Sequence, residues 1–211
     1  MSIETDAQFW DSHAKSYAQK PVSDEAGYRR TLDRTSEYLK PTDSILELGC
    51  GSGSTALRLA SAVQTYLATD ISPTMIQIAN DKNTVSPIPG LSFRVASAET
   101  IAAEDARFKA VLGFNYLHLV RDLPETLRSV HSLLDNGGLF ISKTACIGQM
   151  NFLIRLALPA MKALTLAPSV LSFREPELVK QIKAAGFEIL ENELHASKGN
   201  DCRPFIVARK V

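Results

Sequence analysis

Apolar positions along this chain switch repeatedly between strand-like runs and helix-like spacing. Short apolar runs at 45–48, 66–70, 91–95, 108–115 and 139–143 read as strands, and the unbroken 108–115 run suits a strand buried on both faces. Between them, residues 54–62 place Ala56, Leu57, Leu59 and Ala60 at helical spacing. Ser72-Pro73 reads as an N-cap followed by proline in the first helical position, opening a helix that runs from Thr74 to about Lys82. A turn-rich stretch at 86–90 precedes the third strand, and a short helix over 98–104 follows it. Residues 123–134 form a helix stopped by Asn136-Gly137-Gly138, and 175–185 form another closed by Gly186. Residues 187–193 and 204–210 are two strands with only a polar loop between them. Before all of this, residues 6–39 read as two or three helical pieces, the first broken at Pro21.

Strands alternating with helices predict a doubly wound α/β architecture: a mostly parallel, seven-stranded sheet with helices on both faces and a helical cap at the N-terminus. The last two strands lack a crossover helix, which predicts an antiparallel strand at the sheet edge. The expected organisation is a single domain with a cap (1–40), a ligand-binding core (41–148), a variable insertion (149–173) and a closing helix and hairpin (174–211).

Charge and composition narrow the partners. The 211 residues carry 23 basic and 23 acidic side chains, so no long-range field draws nucleic acid, and none is expected as a partner. Three cysteines, with no C-x-x-C pair, and four histidines without ligand spacing predict no metal site. The polar, acidic start lacks a signal-peptide pattern, and the reading is a reduced, cytoplasmic setting. The apolar stretch 152–171 is interrupted by Arg155, Pro159, Lys162 and Pro168, which makes it a poor membrane span.

The chemistry concentrates where the first strand meets its glycines. Gly49, Gly51 and Gly53 follow Glu47, and Asp70 ends the second strand about twenty residues on, the spacing of a βαβ unit that holds a nucleoside. Asp70 is the candidate ribose ligand, since an ionised carboxylate only accepts hydrogen bonds. The loop is G-x-G-x-G with Ser54 where a dinucleotide fingerprint has its last glycine, and Glu47 suits a positively charged ligand better than a pyrophosphate. An NAD- or FAD-binding domain is the competing reading.

At this loop the chain resembles the class I S-adenosylmethionine-dependent methyltransferases, whose Rossmann-like fold has a first motif similar to E/D-x-G-x-G-x-G. Phe9-Trp10-Asp11 with Ala14-x-x-Tyr17, Leu134-x-x-Gly137-Gly138-Leu139 and Ala185-Gly186-Phe187 resemble further family segments in the same order. The resemblance implies S-adenosylmethionine as cofactor, held by Tyr17, Glu47, Gly49, Cys50, Gly51, Gly53, Asp70, Ile71, Ser97, Ala98 and Asn115. Ser97 stands where the family has an aspartate for the adenine amino group, so the contact loses charge assistance. His118 is the candidate general base, in a run similar to the family's N-x-x-H; His13 and Tyr28 are weaker ones. The core motifs are similar to those of ubiquinone and menaquinone methyltransferases, and the acceptor expected is a small, lipophilic molecule. A phospholipid or fatty-acid methyltransferase and a non-catalytic cofactor-binding module stay open as alternatives. The 149–173 insertion is open to three readings: a lid over the acceptor, a core or dimer helix, or a helix lying on a membrane surface. Monomer and homodimer are both open.

Overall fold

The computed structural model describes residues 3–150, 168–197 and 202–211. Helices α1 (Ile3–Gln19) and α2 (Glu25–Ser36) precede β1 (Ser44–Leu48). Then follow α3 (Ala56–Leu59) with a 3-10 turn (Ala60–Ala62), β2 (Thr65–Asp70), α4 (Pro73–Val85), β3 (Leu91–Val95) and α5 (Ala98–Ala102). The second half runs through β4 (Phe108–Phe114), α6 (Leu123–Leu133), β5 (Leu134–Lys143), α7 (Glu175–Ala184), β6 (Phe187–Glu193) and β7 (Phe205–Lys210). No described helix is long and apolar enough to cross a membrane. Most of the 149–173 insertion, with the apolar residues that motivated its three readings, lies outside the described residues.

The seven strands lie in the order β3-β2-β1-β4-β5-β7-β6. All neighbours through β5 are parallel, and β7 alone runs antiparallel to both its neighbours. The chain winds outward from β1 to β3, then returns to place β4 on the other side of β1. Ligands in such sheets sit at the carboxyl ends of the strands at that reversal.

Alternation along the strands divides the core in two. Leu46, Leu48, Val111, Phe140 and Ile206 face α5, α6 and α7, packing against Ile101, Leu127, Val130 and Ile182. Ile45, Ala110, Leu112, Ile141 and Val207 face Leu32, Ala56, Leu59 and Ile76 on the other side. Covering both faces explains why β4 is an unbroken apolar run.

Two expectations need correcting. The antiparallel strand is interior, because Phe205, Ile206, Val207 and Ala208 are all fully buried and need cover on both faces. The edge falls to β6, whose Glu188, Asn192 and Glu193 are exposed and whose pairing is bulged between Ile189 and Glu191. The sixth helix also stops earlier than the glycines suggest. Leu134 already pairs with Phe108, and the register then jumps to Ala110 opposite Leu139, so residues 135–138 loop out with Gly137 at φ 72°.

Candidate active site

Two cavities meet at the carboxyl ends of β1 and β4. The first, about 330 Å³, is lined by Gly49, Gly51, Asp70, Ile71, Ser97, Ala98 and Asn115, with Tyr17 and Trp10 of α1 over it. The second, about 310 Å³, shares Tyr17, Gly49, Gly51, Phe114 and Asn115 with the first and continues past Glu47 and Cys50 toward α2 and β5.

The glycine turn is built around Asp70. Its Oδ2 accepts from Gly51 N (2.9 Å) and its Oδ1 from Ser72 N (2.9 Å), so both oxygens are fixed by backbone. Each carboxylate oxygen has two lone-pair sites, which leaves the pair able to accept two neighbouring hydroxyls from a ligand in the first cavity. Burial raises the Asp70 carboxyl, against the backbone bonds that lower it. Ser72 caps α4 as its sequence implies, accepting from Met75 N at 3.1 Å with Pro73 next.

Gly49 (φ 66°) and Gly51 (φ 53°) need the left-handed region, and at Gly49 space is also short. A Cβ there would lie 2.7 Å from Tyr116 Cδ2. Tyr116 follows Asn115, itself left-handed at φ 52° and anchored by its N–H to Lys143 O (2.6 Å). That turn lays the Tyr116 ring across the loop. Gly53 lines neither cavity; a Cβ on it would meet Ala79 and Phe93 at 2.8 and 2.9 Å, so its role is close packing behind the loop.

Ser97 lines the first cavity, but its hydroxyl caps α5, accepting from Thr100 N (3.2 Å). Glu99 stands one helical step on in the same lining and accepts from Thr126 Oγ1 (2.8 Å). Sequence reasoning missed Glu99, Tyr116 and Trp10. The acid two residues after Ser97 was the available signal for the first.

Glu47 and Cys50 belong to the second cavity. Glu47 is 2% exposed and accepts from Tyr66 OH (2.9 Å); burial, with a further contribution from Asp70, pushes its carboxyl up to about 7. Burial, then the charges of Glu47 and Asp70, raises the Cys50 thiol far above its ordinary value, so it is no nucleophile.

His118 lines neither cavity. The turn that sends Tyr116 to the loop aims His118 at Thr144, where Nδ1 and Oγ1 are 3.0 Å apart. Burial, helped by the Arg203 charge, brings its imidazole down to about 4, so it is neutral and a weak base. Tyr28 does line the second cavity, its hydroxyl 3.1 Å from Thr55 Oγ1, while His13 stacks on Phe9. Behind the lining of the second cavity, Glu191, Glu193 and His195 gather, but Arg34 Nε (2.9 Å to each oxygen) and Tyr38 OH (2.5 Å) already occupy Glu191, an ion-pair network and not a ligand set.

Polar ties among the described residues hold helix α1 over the first cavity. Asp11 Oδ1 accepts from Ser72 Oγ (2.6 Å) and Thr74 N (3.0 Å), and Asp6 pairs with Arg121 Nε at 2.7 Å.

Comparison with known proteins agrees with this geometry. A family model described as a methyltransferase domain matches residues 45–138. A ubiquinone biosynthesis O-methyltransferase of Xanthomonas axonopodis pv. citri is 32% identical over 138 residues, 64% of this chain and 55% of the relative. A 2-phytyl-1,4-naphtoquinone methyltransferase of Nostoc sp. is 32% identical over 99 residues, 45% and 43% of the two chains. The chain thus spans about half the length of the curated relatives it matches. Among solved structures, magnesium protoporphyrin IX methyltransferase of Synechocystis with bound S-adenosylhomocysteine superposes with a TM-score of 0.73, covering 98% of this chain and 100% of that one; at 17% identity the likeness is one of fold. Motif, topology and the methyltransferase-domain match over residues 45–138 together support a class I S-adenosylmethionine-dependent methyltransferase.

Proposed function

We propose that this chain transfers the methyl group of S-adenosylmethionine to a small molecule with an apolar body. The observation that carries the reading is Asp70, fixed at the topological switch point with both oxygens turned to the cavity wall. In this reading Asp70 holds the ribose hydroxyls. Ile71, Ala98 and Met75 cover the adenine, with Glu99 supplying the acceptor that Ser97 spends on its own helix. The aminoacyl tail passes Gly49, Gly51 and Asn115 into the neck shared by the two cavities, where Glu47 favours its ammonium and Tyr17 covers it.

Bound there, the cofactor supplies a methyl group already activated on a sulfonium. The chain's own task is to place an acceptor in line and exclude water. Tyr17 and Trp10 of α1, tied down by Asp11 and Asp6, supply the cover. The placement of His118 supports no proton transfer by it at the glycine loop, which favours an acceptor that arrives deprotonated or needs no base. Relatives named for ubiquinone biosynthesis and for 2-phytyl-1,4-naphtoquinone support an acceptor with apolar character.

Isothermal titration with S-adenosylhomocysteine tests the reading. Asp70→Ala removes a charged acceptor of two hydrogen bonds and is expected to weaken binding by roughly ten- to a hundredfold. NAD, which needs the absent third fingerprint glycine, is expected to bind poorly. Unchanged S-adenosylhomocysteine affinity in the variant refutes the ribose assignment, and tight NAD binding refutes the cofactor.

A further inference from the structure

The segments that follow β5 and precede β7 stay in register beyond the ends of the strands, and a backbone hydrogen bond there joins two cysteines. We propose that Cys146 and Cys202 form a redox-sensitive pair, closed to a disulfide by exchange with a small disulfide such as oxidised glutathione and reopened by thiols. Both are free in this structure.

Lys143 stands opposite Phe205 in the antiparallel pair. Equal steps outward along both segments bring Cys146 opposite Cys202, and Cys146 N donates to Cys202 O at 2.8 Å, as that register requires. Residues directly opposite in an antiparallel pair present their side chains to the same face. Here it is the face covered by α5, α6 and α7: Cys146 is a fully buried member of its core, and Cys202 packs against the same cluster. Hydrogen-bonded opposite residues have Cα atoms about 5.5 Å apart, inside the roughly 4.4–6.8 Å span of a disulfide. Their Cβ atoms stand about 4.5–5.5 Å apart, against about 3.5–4.5 Å in a bridge, so closure draws the segments together by about 1 Å. Both residues lie outside the strands, where that movement breaks no ladder. A bridge that must be drawn closed is more easily reduced than a permanent structural one.

The two thiols differ in access, which sets the order of the chemistry. Cys202 is half-buried and meets the oxidant first. Cys146 is fully buried, and burial, with a smaller contribution from Cys202, pushes its thiol up to about 12. The Cys202 thiolate attacks one sulfur of oxidised glutathione, whose S–S bond breaks and releases one glutathione. Cys146 then gives up its proton and attacks the Cys202 sulfur of the mixed disulfide, releasing the second glutathione. The two cysteine protons end on the two glutathione thiols; each cysteine sulfur loses one electron, and the glutathione disulfide gains two. A thiol as basic as Cys146 is slow against a free reagent, but its place across from Cys202 makes the second step intramolecular. Cys50 sits at the glycine loop, its Sγ donating to Gly51 O at 3.6 Å, and takes no part. Lys143 and Arg203, on the same two segments, line the second cavity, so the bridge fixes the backbone along one of its walls.

The test incubates the folded chain with oxidised glutathione, alkylates the remaining thiols after denaturation and maps the peptides by mass spectrometry. A Cys146–Cys202 cross-link is expected, with Cys50 alone alkylated, and dithiothreitol should reverse it. Cys146→Ser should instead keep glutathione on Cys202, because the sulfur that displaces it is gone. The oxidised wild type should melt higher than the reduced protein by about 10 °C, since the bridge closes a long loop, and Cys146→Ser should show no such rise. If Cys146→Ser does not fold, Cys202→Ser, at a half-buried position, decides the matter by losing both the cross-link and the rise. A glutathione adduct that persists on Cys202 of the wild type overturns the proposal. So does a bridge from Cys202 to a second copy of the chain, or alkylation of both Cys146 and Cys202 after oxidation.

Discussion

Glu47→Gln is the perturbation whose size the structure sets most directly. The side chain is 2% exposed, one oxygen accepts from Tyr66 OH at 2.9 Å, and burial lifts its carboxyl from 4.5 to about 7. The unfolded chain releases this proton near 4.5, while the folded chain keeps it to about 7. Between those values the native state binds more protons, so stability falls as pH rises. The contribution is fully present below the unfolded value and lost once pH passes the folded one. At 1.36 kcal/mol per pH unit, the gap amounts to a loss on the order of 3 kcal/mol, a large part of a typical domain's stability. Glutamine keeps the shape and an acceptor for Tyr66 but cannot ionise. Urea unfolding at several pH values from 5 to 8 should therefore show the wild type losing stability relative to Glu47→Gln, with nearly equal denaturant slopes. Parallel stability curves would mean that Glu47 is ionised in the folded protein throughout, and the low-dielectric picture of the second cavity's inner wall would be wrong. A linked consequence is readable by calorimetry. If the aminoacyl ammonium settles beside Glu47, S-adenosylhomocysteine binding near pH 6 should release a proton, seen as a dependence of the heat on buffer ionisation enthalpy.

Two further outcomes follow from the loop and from α1. Gly49→Ala forces alanine to φ 66° and puts a Cβ 2.7 Å from Tyr116; the backbone alone costs about 1–3 kcal/mol, so a drop in Tm is expected, with Gly49→Ala/Tyr116→Ala recovering only the steric share. A Gly49→Ala variant as stable as the parent would contradict the loop geometry. Asp11→Ala removes the acceptor of Ser72 Oγ and Thr74 N, costing about 1 kcal/mol as a lost cap, and should speed S-adenosylhomocysteine dissociation in stopped-flow because the tie between α1 and the start of α4 is lost. An unchanged dissociation rate would show that α1 does not gate the first cavity.

What could be read from the sequence was what is local. The strand, glycine turn and helix after Leu48, the acid ending β2 and the Ser72-Pro73 cap each lie within a few residues of the backbone they control. The interior place of β7 was not readable, because a hairpin has the same local pattern whether its second strand closes the sheet or inserts beside β5. Nor was the exchange of roles between Tyr116 and His118. A spacing pattern shows both near the end of β4, while only the left-handed turn at Asn115 decides which one meets the loop.

The division has a functional side. Contacts that would hold the nucleoside are short-range: Gly51 to Asp70 spans 19 residues and Asp70 to Ser72 spans 2. Contacts that shape the second cavity are not: Lys143 to Thr31 spans 112 residues and His195 to Thr31 spans 164. A motif therefore identifies the first cavity, while the second depends on how distant segments meet. Substitutions at Thr31 or Lys143 should accordingly reshape the second cavity, read as lowered Tm, without disturbing the glycine loop, read as an unchanged Kd for S-adenosylhomocysteine.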